Sequence, residues 1–331
     1  MKAIGNVKIY PKMNLLKTVF LWTFFVPIKH MVWFLPYSLI YRLSFIIAGS
    51  RLWLKTKKAK AYSDELSHIR LVSAMDEKNS ILQRTFWGLL CCEFEMLLFP
   101  RMNSANINDF VNYNGLEHLD AALDKGKGVM LLFGHFGANQ MVMPAMGYCG
   151  YSMSQLSAPA TVWEKKIPGR TFLAIEKYAM RKRWQHEKSL PVVHVNIFSS
   201  LKGAFRCLKR NEILGAAIDG GGGAERVAVN FLDGQANFST GAYEIARRTG
   251  CAVLPTFMER DLFTGKNELY IENALYIKKE NNSLEDKKQF IQFFAYKLDF
   301  YIRRSPWLYI NFLALRRMMS AHDEIPFMIK K

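Results

Sequence analysis

Cysteine is scarce in this chain. Its 331 residues include five, Cys91, Cys92, Cys149, Cys207 and Cys251. The number is odd and no CxxC pair occurs, which argues against a disulfide framework or a zinc site and fits a reducing, cytoplasmic environment. No metal site and no bound cofactor are expected. Acidic residues are also few: 28 Asp+Glu against 45 Lys+Arg leave a formal net charge of +17. Such an excess favours an anionic partner, whether nucleic acid, an acidic membrane surface or an acidic substrate. Several signatures are missing. No G-x-x-x-x-G-K-[ST] loop occurs, and no G-x-G-x-x-G follows a strand. The nearest approach to a G-x-S-x-G elbow, Gly150-Tyr-Ser152-Met-Ser154, lacks its final glycine, which argues against a serine hydrolase. No nucleic-acid-binding module accompanies the basic charge, so nucleic acid is not an expected partner. Repeats, low-complexity tracts and long linkers are absent.

Long uninterrupted apolar runs are missing as well. Thr18–Ile28 and Met31–Tyr41 each fall short of the ~18–20 residues that a membrane-spanning helix needs. Lys29 and His30 separate them, and Pro27 and Pro36 punctuate them. Three arrangements stay open: a tilted span with a polar interruption, one or two helices lying in the membrane interface, or a buried hairpin. In the interfacial case Trp22, Trp33, Tyr37, Tyr41 and Trp53 would sit at headgroup level. The basic flank Arg51, Lys55, Lys57, Lys58 and Lys60 would attract anionic lipid at ~1 kcal/mol per charge and marks the cytoplasmic side. No small-residue cleavage site closely follows the first apolar run, as a signal peptide would require. Residues 1–60 therefore read as a membrane-associated helical segment, and 61–331 as an α/β domain.

What is abundant is core-forming material. Half of the residues are hydrophobic and 14% are aromatic, so a large core can be buried. From Ser63 to Pro100 the apolar spacing is helical, carried by Ile81, Leu82, Phe86, Leu89 and Leu90. Val129–Phe133, Ile213–Ile218 and Val253–Met258 read as buried strands. Helices are expected from a cap at Ser199 or Ser200 to Lys209, over Tyr243–Arg248 with Gly250 as its stop, and over Leu284–Arg304 ending at Ser305-Pro306. This alternation predicts an α/β fold with a central mixed sheet flanked by helices.

Chemistry concentrates in Val129-Met-Leu-Leu-Phe-Gly-His135-Phe-Gly-Ala-Asn-Gln140. A buried strand ends at Gly134 and delivers His135 at its C-terminal edge, where open α/β sheets bind ligands. Gly134 and Gly137 allow a sharp turn and a close substrate approach. The helix that follows can offer amides to negative charge. A histidine so placed can accept a proton from an attacking hydroxyl, with a partner that fixes its ring. Asp219 ends a second strand, so both residues can open on one cleft. The glycines Gly220–Gly223 after it form a permissive loop suited either to a phosphate or to a plain turn. Cys91 and Cys92 fit a core better than a nucleophile. Met141, Met143 and Met146 read as core that could also line an adaptable acyl groove.

Four blocks in order resemble the bacterial lipid A late acyltransferases, within the wider lysophospholipid acyltransferase group: His135-Phe-Gly-Ala-Asn-Gln140; Ile218-Asp219-Gly-Gly-Gly-Gly-Ala-Glu-Arg226 with Asn230-Phe-Leu-Asp-Gly234; Ser239-Thr240-Gly241 with Ala246-Arg-Arg-Thr-Gly250-Cys-Ala-Val-Leu-Pro255; and Pro306-Trp307-Leu308-Tyr309. The likeness runs from about Met31 to Arg317. It implies transfer of a fatty acyl chain from acyl carrier protein or acyl-CoA to a hydroxyl of a (glyco)lipid acceptor. The place would be the cytoplasmic face of the cell inner membrane, with anionic membrane lipid as a partner. His135 would be the general base, needing no covalent acyl-enzyme. Amides near Gly137–Asn139 or the glycine loop would hold the oxyanion, and Asn139 is a substrate-binding candidate. An arginine on the substrate phosphate is also implied: Arg181 and Arg183 fall nearest, Arg170 competes, and Arg226 follows the glycine loop. A solvated basic helix face explains the first two equally.

The chain departs from the family pattern at Gln140, where the family carries a carboxylate. An amide oxygen can still accept a hydrogen bond from the histidine, but it cannot offset an imidazolium charge. Three consequences stay open: another carboxylate, Asp219 or Glu244, supports His135; His135 works unaided; or the protein is a degenerate lipid binder. An acyltransferase of this fold acting on another lipid or pathway-specific acceptor is the further alternative.

Overall fold

The computed structural model describes residues 15–50, 52–71, 74–162, 172–220, 223 and 225–315. Nine strands occur among them: β1 (Val111–Asn114), β2 (Val129–Phe133), β3 (Met153–Ser157), β4 (Val192–Asn196), β5 (Ile213–Ala217), β6 (Arg226–Phe231), β7 (Gly234–Ser239), β8 (Ala252–Arg260) and β9 (Asn267–Ile271). Seven form one sheet in the order β1-β9-β8-β2-β5-β3-β4, while β6 and β7 pair as a separate hairpin. Only β8 and β9 are antiparallel within the large sheet. The predicted mixed sheet is therefore present.

The helices are α1 (Leu15–Thr23), α2 (Lys29–Phe34), α3 (Tyr37–Ala48), α4 (Lys57–His68), α5 (Met75–Leu98), α6 (Leu116–Leu123), α7 (Val142–Tyr148), α8 (Ala174–Glu187), α9 (Lys202–Lys209), α10 (Gly241–Thr249), α11 (Leu284–Arg304) and the single turn α12 (Ile310–Leu313). β2 shows how sheet and helices share the core. Every residue in it is buried, as a central strand covered on both faces demands. Met130 and Leu132 join one apolar cluster, and Val129, Leu131 and Phe133 join the other. Two-residue alternation thus assigns each side chain to one covering layer.

Some boundaries differ from expectation, while the bounds of α11 and the Gly250 stop of α10 match it, each for a physical reason. The helical stretch from Ser63 is two helices, because Arg70 adopts φ +52° just after α4. β8 runs two residues past Met258, since its terminal charges find partners: Glu259 pairs with Arg304 of α11, and Arg260 with Glu95 of α5. Helix α9 starts at Lys202, whose N–H donates to Ser200 Oγ at 3.4 Å. Helix α11 begins with the reciprocal cap of Ser283 and Asp286. Helix α10 stops on Gly250 at φ +69°.

The chain stays helical through Pro27, with Phe24–Ile28 as a π turn joining α1 directly to α2, so Lys29 and His30 lie inside a helix rather than separating two runs as expected; the break comes only before Pro36, where Leu35 is extended. The N-terminal helices pack on α5. Trp33 Nε1 donates to the Leu97 carbonyl at 3.0 Å, and Tyr41 Oη donates to Glu95 Oε1 at 2.9 Å. Tyr41 is thus buried rather than facing a headgroup layer. Met31, Phe34, Phe45, Ile46 and Leu52 remain exposed. Among the described residues no helix is long and apolar enough to cross a membrane. Arg51 lies outside the described residues.

Candidate active site

Strands β2 and β5 are adjacent and parallel, with Phe133 opposite Ala217. His135 and Asp219 each stand two residues beyond that pair, so the register alone brings them side by side at the C-terminal edge of the sheet. His135 Nδ1 lies 2.6 Å from Asp219 Oδ1, and the His135 backbone N–H donates to Asp219 Oδ2 at 2.6 Å. Tyr309 Oη donates to the same Oδ2 at 2.8 Å. Asp219 is fully buried, and these three donors are what make a buried carboxylate tolerable.

Close packing dictates both flanking glycines. A Cβ on Gly134 would lie 2.8 Å from Asp219 Oδ2. Gly137 holds φ +59°, and a Cβ there would lie 1.9 Å from the Met258 carbonyl oxygen. Neither position admits a larger residue without moving the histidine turn. The Gly137 N–H donates to the Leu308 carbonyl at 3.0 Å, so this amide is committed. The N–H groups of Ala138 and Asn139 have no acceptor among the described residues, and both residues line the cavity described next.

Protonated Nδ1 donating to Asp219 leaves Nε2 as the free nitrogen of a neutral imidazole. The ring stacks on Phe312, with centroids 4.3 Å apart and planes 4° apart. It opens on a cavity of about 230 Å³ bounded by α5, the turn after β2, α8 and the segment after α11. The side chain retains 39% of its accessible surface, enough to meet a ligand. Burial alone would lower the imidazole pKa, but the charge and hydrogen bond of Asp219 outweigh it and hold the group above its ordinary value. Burial, reinforced by Asp219, pushes the Tyr309 phenol well up, so it stays a donor.

Gln140 lines the same cavity but is exposed and forms no hydrogen bond to His135. Asn139 lines it too. Of the arginines, Arg183 reaches the cavity, where it pairs with Glu93 of α5. Arg181, on the same helix, is exposed and away from the cavity lining. Arg226 donates to the carbonyls of Gly220 at 3.0 Å and Asn237 at 3.2 Å, tying the start of the glycine loop to the β6–β7 hairpin. Glu244 is engaged by Arg247, Arg248 and Lys287 and does not approach His135. Arg170, Gly221 and Gly222 lie outside the described residues. The buried Cys91 thiol is pushed up to about 12 by burial, which removes it as a thiolate nucleophile. Met141, Met143 and Met146 are buried, and Met141 also touches the cavity.

Sequence reasoning gave no role to Tyr309, Phe312, Glu95 or Arg260. The last two form a buried ion pair at 2.8 Å on the cavity wall. Each is an ordinary residue in its own segment; only the packing of α5 and the segment after α11 onto the sheet edge brings them in.

The family model for bacterial lipid A biosynthesis acyltransferase matches residues 8–317. No curated protein matches the chain.

Proposed function

The chain belongs to the bacterial lipid A biosynthesis acyltransferase family and so is an acyltransferase of groups other than aminoacyl; from that premise we propose that it moves a fatty acyl chain from a thioester to a hydroxyl of a lipid A-type glycolipid, with His135 as general base. The donor is the thioester of acyl carrier protein or of coenzyme A. The acceptor is an anionic lipid at the cytoplasmic face of the inner membrane.

One observation carries the reading: a histidine with one ring nitrogen held by a buried aspartate at 2.6 Å, its side chain lining a cavity. His135 Nε2 takes the proton of the acceptor hydroxyl as its oxygen attacks the thioester carbonyl. The tetrahedral intermediate places its oxyanion toward the unengaged N–H groups of Ala138 and Asn139. Collapse expels the thiolate, which takes the proton back from the imidazolium, leaving an ester and a free thiol. Asp219 supplies what Gln140 cannot: a charge that stabilises the imidazolium and an acceptor that fixes the tautomer. A degenerate-binder reading draws on Gln140 alone, and the Asp219 contact supports the enzyme reading instead. Arg183 is the cavity-facing candidate for a substrate phosphate, with Gln140 and Asn139 beside it as substrate contacts. Helices α1–α3 lie in the membrane interface with their exposed apolar side chains in the lipid.

Transfer of labelled acyl chains from acyl carrier protein or coenzyme A to extracted bacterial lipids tests this. Wild type should label a glycolipid, and His135→Ala should lose at least roughly 10³ of the rate. A His135→Ala variant as active as wild type would overturn the reading.

A further inference from the structure

The segment that follows α11 touches the site at three points. The Leu308 carbonyl accepts the Gly137 N–H at 3.0 Å. Phe312 stacks on the His135 ring. Tyr309 Oη donates to Asp219 Oδ2 at 2.8 Å. Tyr309 is itself fully buried, held at its ring by Phe231 and Phe312 with centroids 6.2 and 5.5 Å away. A buried phenol with a single carboxylate acceptor is a costly feature to keep for packing alone, since phenylalanine fills nearly the same volume.

We infer that Tyr309 is a positioning residue: its hydroxyl, by donating to Asp219, holds that carboxylate against the His135 ring and sets the pH at which His135 becomes a base. The inference rests on the proposed role of His135. Asp219 has two oxygens. Oδ1 faces His135 Nδ1, while Oδ2 is shared between the His135 backbone N–H and Tyr309. The hydroxyl therefore fixes the carboxylate plane and draws part of its negative charge away from the imidazole.

The surroundings leave this control with Tyr309 and Asp219. Other titratable or charged side chains on the cavity are Cys92, Glu93 and Glu95 from α5, Arg183 from α8, and Arg260 from β8. Glu93 pairs with Arg183 and Glu95 with Arg260, so these charges compensate in place. Cys92 is pushed up to about 12, chiefly by burial, and stays neutral. Among the described residues Asp219 is the carboxylate in contact with His135.

The sign follows. Without the Tyr309 hydroxyl, the charge on Asp219 is less compensated and the imidazolium is better stabilised. His135 then keeps its proton to higher pH. The acid limb of the kcat/KM profile should move up by roughly 0.5–1 unit in Tyr309→Phe, with kcat reduced and KM little changed. Site-specific 3-fluorotyrosine at position 309 is a stronger donor in the same volume, and should move the limb down. It also keeps the test open if Tyr309→Phe folds poorly. A purely structural role would lower the Tm of Tyr309→Phe and leave the limb where it is in both variants, which overturns the inference. A downward shift in Tyr309→Phe overturns it too. His135→Ala runs in parallel. If that variant keeps its activity, the proposed function falls; if it is inactive and the limb ignores position 309, only the role of Tyr309 falls.

Discussion

His135 and Asp219 meet because each stands two residues past a paired position, Phe133 opposite Ala217, on neighbouring parallel strands. This geometry makes the aspartate the hydrogen-bond partner of the histidine, although 84 residues of chain separate the two. It also gives the contact a rigid base, since both side chains leave from the end of a buried strand rather than from a long loop.

The first consequence concerns charge. Asp219→Asn keeps the volume and an acceptor for Tyr309 but removes the negative charge and can trap the wrong imidazole tautomer. The kcat should fall by roughly 10³–10⁴, as amide replacement does in serine proteases, with KM within a few-fold. Asp219 holds the His135 pKa above its ordinary value. In wild type, activity should therefore begin to fall at a pH above the usual imidazole range as acid is added. In Asp219→Asn the residual activity should persist to lower pH, the opposite direction to Tyr309→Phe. Steady-state kinetics across pH checks both; an Asp219→Asn enzyme of wild-type kcat would sink the dyad.

Gln140 offers the complementary test. It faces the cavity, is exposed and does not bond His135. Gln140→Glu should therefore bring little gain, and Gln140→Ala should stay within about fivefold of wild-type kcat, ~1 kcal/mol of barrier. Any larger effect of Gln140→Ala should fall on KM, as expected for a substrate contact. A hundredfold gain in Gln140→Glu would show that His135 lacks a working partner in the wild-type chain.

The strand framework was legible because its signal is local. A five-residue apolar run such as Val129–Phe133, too short for a helix and closed by glycine, reads as a covered strand, and the Gly-His-Phe-Gly turn marks its edge. Asp219 was visible by the same reasoning, as a carboxylate at the end of a strand. Its contact with His135 was legible only as one of two alternatives, Asp219 or Glu244, because strand order depends on crossovers that no local spacing records, and the register of β2 on β5 decides for Asp219. The family frame instead drew attention to Gln140, five residues from the histidine. Tyr309 was hidden for a different reason. It lies 90 residues beyond Asp219 in the chain, and although it closes the block Pro306-Trp307-Leu308-Tyr309, that block gives no sign of whether its hydroxyl or only its ring is used. Glu259 and Arg260 extend β8 past the expected end at Met258 because their partners, Arg304 and Glu95, sit on helices far away in sequence.

The surface of the N-terminal helices leads to the last prediction. Phe34 is 87% exposed, Leu52 73% and Ile46 70%, with Met31 and Phe45 close behind. Exposed large apolar side chains are ordinary when scattered, but here they recur along α2, α3 and the turn beyond. Lys55, Lys57, Lys58 and Lys60 follow directly, and Lys55, Lys57, Lys58 and Lys60 are all exposed. Inserting one large apolar side chain into lipid contributes roughly 1.5–3 kcal/mol, and each nearby lysine about 1 kcal/mol on an anionic surface. The double change Phe34→Glu with Ile46→Glu should therefore weaken binding to phosphatidylglycerol-containing vesicles by at least roughly 100-fold in a sedimentation assay. Raising the salt should weaken wild-type binding in parallel, because the lysine contribution is screened over about 10 Å at 0.1 M. Both residues lie outside the cavity lining, so turnover of a short-chain thioester with a detergent-dispersed acceptor should be retained. Unchanged vesicle binding by the double variant would rule out α2 and α3 as the membrane contact.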